Sequence, residues 1–123
     1  MRVSLLGAGE DWFRKLLAQR TDDVHDGPAA GSDLVFYRAD QPPDLERLKD
    51  LRRVIREDGA VWVLRTKGGG RTVTENDVIA AAARAGLIDN KIVSFSDTLG
   101  AMRLVVRLRD REPPPRPAGQ TTT

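Results

Sequence analysis

The sequence contains no cysteine. Disulfide scaffolds, thiolate metal centres and cysteine nucleophiles are thereby excluded. It has one histidine, His25, so a multi-histidine metal site is impossible and a Ser-His-Asp triad would need that residue. No metal site is expected. No apolar run approaches the ~18–20 residues of a membrane-spanning helix. The amino-terminal run Val3–Leu6 meets Glu10 and Asp11 too soon to be a signal peptide's apolar stretch. A cytoplasmic location is the expectation. Charge of one sign is also lacking: 20 Lys and Arg stand against 18 Asp and Glu, a net charge of +2. The cations are spread among acidic neighbours rather than gathered on one face, so nucleic acid is not expected as a partner.

What is present describes a globular chain. Its 123 residues fit one domain, and 40% hydrophobic with 31% charged residues is globular rather than disordered composition. Residues 1–109 read as that domain. From Asp110 the chain runs into Arg-Glu-Pro-Pro-Pro-Arg-Pro and a Thr tail, which cannot pack, so 110–123 is expected to be disordered.

Val3–Leu6 is a short buried strand closed by Gly7-Ala8-Gly9, and Trp12, Phe13, Leu16 and Leu17 then recur at helical spacing. Thr21 to Ser32 reads as loop, with at most a brief strand near Val24. Asp33–Tyr37 is a second strand. Pro42-Pro43-Asp44 opens a helix, with Asp44 as N-cap and Leu45, Leu48, Leu51 and Ile55 as its apolar stripe, ended by Asp58-Gly59. Ala60–Leu64 is a third strand. Thr74-Glu75-Asn76-Asp77 resembles a capping box for a helix with Val78, Ile79, Ala82 and Ala83 inward, and Gly86 sits where a left-handed C-cap is wanted. Ile92–Phe95 and Met102–Leu108 are two final strands, joined closely enough to pair antiparallel. The whole is an α/β order: a three-layer, Rossmann-like, mainly parallel sheet ending in an antiparallel hairpin. One contiguous core is expected, containing Leu5, Phe36, Trp62, Val63, Leu48, Ile55, Ile79 and Val105, with Trp12 also inside. A small sheet with an exposed edge makes a homodimer plausible.

Parallel strands place their carboxyl ends on one rim, where open α/β sheets bind ligands. The candidate binding residues there are Gly7, Gly9, Glu10, Arg38, Arg65, Lys67, Arg71 and Asp97. Gly7-Ala8-Gly9 follows a strand and opens a helix, as a phosphate- or nucleoside-binding turn does, but lacks the third glycine of a dinucleotide fingerprint. A plain strand-to-helix turn explains it as well. Arg65-Thr66-Lys67-Gly68-Gly69-Gly70-Arg71 puts three cations around a glycine run ahead of a helix start, a grouping suited to a small anion. It is not a Walker A loop, whose lysine follows the last glycine. A mobile surface loop is its simpler meaning. No catalytic residue is assigned.

The strand order, the first glycine turn and the final hairpin resemble a class I S-adenosylmethionine methyltransferase lacking about two strand-helix units. The chain further resembles a family of small bacterial proteins of unknown function built on this reduced plan. Leu6-Gly7-Ala8 before Glu10-Asp11-Trp12, Asp33-Leu34-Val35 and Gly59-Ala60-Val61-Trp62-Val63 carry that likeness. So do Thr74–Val78, Ala85–Lys91, Ser96-Asp97-Thr98 and Arg103–Val106. The resemblance implies a fold and transfers no catalytic residue. It also implies an acid after the second strand to hold ribose; Asp22, Asp23 and Asp26 lie at about the right distance, and the solubility of a polar loop explains them equally well. Asp40-Gln41-Pro42-Pro43 departs from the D/N-P-P-Y motif of amino-methyltransferases. The expected function is therefore a Rossmann-like binding or interaction module without catalysis, taking a small anionic molecule or a protein partner. The alternative is a minimal enzyme using a nucleotide-like cofactor such as S-adenosylmethionine.

Overall fold

A computed structural model describes residues 1–68 and 72–107. The predicted carboxyl-terminal tail, Arg71 and Leu108 lie outside those residues. The strands are β1 (Val3–Leu6), β2 (Val24–Asp26), β3 (Ser32–Arg38), β4 (Ile55–Thr66), β5 (Leu87–Ser94) and β6 (Leu99–Val106). The helices are α1 (Asp11–Ala18), α2 (Leu48–Val54) and α3 (Glu75–Arg84), with a 3-10 segment over Pro42–Arg47.

The strands form one mixed six-stranded sheet in the order β2-β1-β3-β4-β6-β5. β1 pairs in parallel with both β2 and β3, and β3 with β4. β6 runs antiparallel to both neighbours, β4 and β5. The expected final hairpin is present, but its second strand lies inside the sheet and its first strand forms the edge.

Alternation along the strands divides the core in two. Val35 and Tyr37 of β3, with Val61 and Val63 of β4, join a cluster with Leu48 and Leu51 of α2 and Val78 of α3. Phe36 and Leu64 point the other way and join Leu5, Phe13 and Leu17 around α1. Adjacent residues of a strand face opposite sides, so these are the two faces of the sheet. The single contiguous core expected from sequence is corrected to these two clusters. Trp62 is only partly buried against the α1 cluster.

Two helix faces also differ from expectation. In α1 the inward residues are Phe13 and Leu17, while Trp12 is 48% exposed. Trp12 stands about 100° round the helix from Phe13 and lies over the edge of the cluster rather than in it. Its ring meets Phe95 at 5.2 Å and Phe13 at 5.6 Å. In α3 the buried residues are Val78, Ala81 and Ala82, the i, i+3, i+4 stripe of one helical face, so Ile79 and Ala83 are turned outward.

The segment after β3 departs most. Gln41, not Asp44, is the N-cap; Asp44 is the third residue of a capping box, with both prolines at its start. α2 stops at Val54, and Ile55 already begins β4, because β4 extends back beside Ser32 through a register irregularity. Gly59 lies in that stretch, where an added Cβ would stand 2.8 Å from the Asp33 carbonyl. The capping box predicted at Thr74 is formed: Asp77 N–H donates to Thr74 Oγ1 at 3.1 Å, and Thr74 N–H to Asp77 Oδ2 at 3.0 Å. Gly86 has the expected positive φ, at +80°. Among the described residues, no helix is long and apolar enough to cross a membrane.

Candidate functional site

The topology brings the carboxyl ends of β1, β2, β3, β4 and β5 and the amino end of β6 to one rim. Of the residues proposed from sequence, Gly7, Glu10, Arg38, Arg65, Lys67 and Asp97 border three hollows along that rim.

At the first, Gly7 borders a shallow depression of about 540 Å3 with Asp26, Tyr37, Arg38, Asp44 and Arg47. Gly7 has φ +77°, and a Cβ placed on it would come within 2.9 Å of Arg38 Cβ. Gly9 lines none of these hollows: Arg14 Nη2 would stand 2.5 Å from its Cβ. Arg14 Nε donates to the Gly9 carbonyl at 3.0 Å, and its Nη2 pairs with Asp26 Oδ1. The space before both glycines is therefore taken by the chain's own arginines. Asp26 ends β2, the position the methyltransferase likeness reserves for an acid, and Arg14 holds it. Deeper in this hollow the Tyr37 hydroxyl donates to the Asp44 carbonyl at 2.7 Å. Burial, with the nearby Asp44 charge, raises its pKa above the ordinary phenol value.

Glu10, Trp12, Arg38 and Asp97 border the second hollow, of about 300 Å3. Glu10 is the N-cap of α1, and its Oε2 is buried with no hydrogen-bond partner. Asp97 is exposed in the turn between β5 and β6.

The third hollow is the largest, a cleft of about 680 Å3 between the end of β4, the start of α3 and β5. Arg65 of β4 and Lys67 just after it line the cleft, with the N-cap Thr74, Glu75 and Asn76 at the start of α3 and Ser94 of β5. Arg65 is 9% exposed. Its Nη2 donates to Glu75 Oε1 at 3.1 Å, while its Nε is buried without a partner. Lys67 Nζ donates to Ser94 Oγ at 2.6 Å, and Lys67 N–H to the Thr98 carbonyl at 2.9 Å.

Asp40, just past β3, joins neighbouring segments of the chain. Its carboxylate accepts from Arg38 Nε at 3.0 Å and Thr66 Oγ1 at 3.3 Å, and its carbonyl accepts from Thr72 Oγ1. Asp40-Gln41-Pro42-Pro43 thus ties the ends of β3 and β4 together and starts the 3-10 segment. Asp23 lies away from the rim. The His25 hydrogen bond, aided by Arg2, holds its carboxyl below the ordinary range. No group of three or more His, Asp or Glu able to hold a metal ion occurs among the described residues.

Sequence reasoning set Glu10, Arg65, Lys67 and Asp97 along a single rim; the structure brings Arg65 and Lys67 to one cleft and Glu10 and Asp97 to a separate hollow. That reasoning missed Arg14 and Glu75, the side chains that occupy the candidate sites. Arg14 reads as a solvated helix residue and Glu75 as part of a capping box; neither pattern reveals a partner across the fold.

The α/β fold has methyltransferases among its structural neighbours. The chain is similar to LepI in complex with SAM, at TM-score 0.62 and 14% identity over 86% of this chain and 43% of that one. It is similar to CalO1, a methyltransferase in calicheamicin biosynthesis, in its SAH-bound form, at TM-score 0.59 and 17% identity over 85% and 48%. The mitomycin 7-O-methyltransferase MmcR matches at TM-score 0.57 and 13% identity over 86% and 42%. The chain thus spans less than half the length of each of these structures. Through residues 8–108 it belongs to DUF3052, a protein family of unknown function. No curated protein matches it.

Proposed function

We propose that this chain is a Rossmann-like binding module without catalysis, which keeps the methyltransferase fold but not its cofactor. The observation that carries this reading is the occupancy of the first turn. Both glycines that would let a nucleoside approach the backbone instead admit Arg14 and Arg38. A glycine turn needs no ligand to explain it when a side chain fills the space that the missing Cβ leaves.

With that cradle filled, the cleft beside β4 is the largest of the three hollows and the one that gathers cations for a ligand. It presents a buried guanidinium, an ammonium and the amino end of α3, each of which favours negative charge. The ligand of this reading is a small anionic molecule, contacted by Arg65 and Lys67. Two-dimensional amide spectra of the full chain with acetate, succinate or inorganic phosphate test it. Perturbations centred on Lys67, Asn76 and Ser94 support the assignment, and their absence removes it.

A second reading is a minimal enzyme that uses S-adenosylmethionine. Asp26 favours it, since it stands at the end of β2 beside the glycine turn. The SAM and SAH complexes of the similar folds point the same way. The Arg14–Asp26 pair is exposed, with side chains 40% and 74% accessible, and exposed pairs are worth only about 0–1 kcal/mol, so a nucleoside could displace it. Amide perturbations by S-adenosylmethionine at Gly7, Gly9 and Asp26 would favour this reading instead.

A further inference from the structure

Arg65 combines two features that rarely occur together. It is nine-tenths buried, and only part of its guanidinium is engaged. Nη2 donates to one oxygen of Glu75, whereas Nε, the other donor on that edge, is buried with nothing to bond. The Nε–Nη2 edge is the fork that a carboxylate grips with both oxygens, the arrangement in which an arginine is most completely satisfied. Here one tooth of the fork is used. Glu75 is tethered at the first position of α3, and its side chain is 51% accessible. It can withdraw into solvent without opening the core.

The surroundings suit a single negative charge. Lys67, just after β4, lines the same cleft, where its Nζ donates to the neutral Ser94 hydroxyl. α3 points its amino end inward, where the first N–H groups of a helix lack intrahelical acceptors. Glu75 itself supplies the opposing charge, which penalises a dianion more than a monoanion.

We propose that the cleft is a carboxylate site in which the ligand's carboxylate replaces Glu75 across Nε and Nη2 of Arg65, with Glu75 as a resident stand-in that competes for the place. The proposal rests on the anion-binding reading above and narrows it to a planar, singly charged group. Inorganic phosphate, which lacks the planar two-oxygen edge and carries more charge, binds less well.

The test follows the Arg65 Nε–H and Asn76 N–H signals of the full chain during titration with propionate and, separately, inorganic phosphate. Propionate is expected to shift both signals. Glu75→Gln, which keeps length and removes charge, should tighten propionate binding roughly two- to five-fold, the scale of an exposed ion pair. Arg65→Lys, which keeps the charge and removes the fork, should abolish the shift at Asn76. If Arg65→Lys loses the fold, the Glu75→Gln arm decides alone. Unchanged propionate affinity in Glu75→Gln overturns the stand-in role while leaving the anion reading intact. Phosphate binding as tightly as propionate overturns the carboxylate assignment. No perturbation by either ion, in the native chain or in Glu75→Gln, removes both readings together.

Discussion

Arg14 of α1 bridges the carbonyl of Gly9 and the carboxylate of Asp26, so one side chain closes the gap between the ends of β1 and β2. At Gly9 the guanidinium of Arg14 occupies the space that a Cβ would need, and at Gly7 that space is closed by Arg38 Cβ.

The two glycines of that turn should respond differently to alanine. Gly7 has a left-handed backbone, at φ +77°, and its Cβ would abut Arg38 Cβ at 2.9 Å, which is fixed close to the backbone. Gly7→Ala should cost at least about 1–2 kcal/mol, the scale of left-handed strain alone. Gly9→Ala meets only the far end of Arg14, which can swing away, so it should cost under about 1 kcal/mol. Urea denaturation of the two variants checks the order, and equal losses would contradict it.

Neighbouring aromatic residues in α1 provide a second contrast. Phe13 is 5% exposed at the centre of its cluster, where its ring packs edge-on against Phe36 at 4.7 Å. Phe13→Ala should therefore cost about 3–5 kcal/mol. Trp12→Ala loses ring contacts at a half-exposed position and should cost about 1 kcal/mol. A larger loss from Trp12 than from Phe13 would return Trp12 to the core.

Much of this fold is legible in the sequence. The apolar runs at Val3–Leu6 and Asp33–Tyr37 are strands because they are buried on both faces, and such runs need no periodicity to be recognised. The Thr74 capping box and Gly86 are local chemistry, fixed within a few residues, and both appear as read. What the sequence hides is long-range. Ile55 continues the stripe of the preceding helix, yet pairing with Ser32 draws it into β4. Trp12 fits the helical spacing but lies on the wrong side of Phe13. At the rim, the cations of the Arg65 stretch are visible as a group. Their partner Glu75 looks like ordinary helix chemistry until the fold brings it within 3.1 Å of Arg65.

Alkaline pH should weaken the fold through Tyr37. Burial raises its pKa above 10.0, so the unfolded chain loses the phenolic proton first as pH rises. Stability contributed by the neutral phenol is full below the unfolded value and falls as pH climbs above it. Tyr37→Phe should have a shallower loss of stability above pH ~10 than the native chain. Tyr37 is the only tyrosine, so its absorbance titration reports this group alone. A phenol titrating at or below the ordinary value would contradict the burial argument.

Capping of α3 affects both stability and the cleft. Thr74→Ala removes the acceptor for Asp77 N–H and should cost about 1 kcal/mol, within the ~0.5–2 kcal/mol range of such caps. Thermal melts measure the loss. An unchanged Tm would mean the cap contributes nothing to the folded state.

The central claim is that the cofactor cradle is filled by the chain itself, and calorimetric titration of the full chain with S-adenosylmethionine tests it most directly. The account predicts no binding heat at micromolar concentrations. Saturable micromolar binding, lost in Asp26→Ala, would contradict it and make this chain a cofactor-using domain.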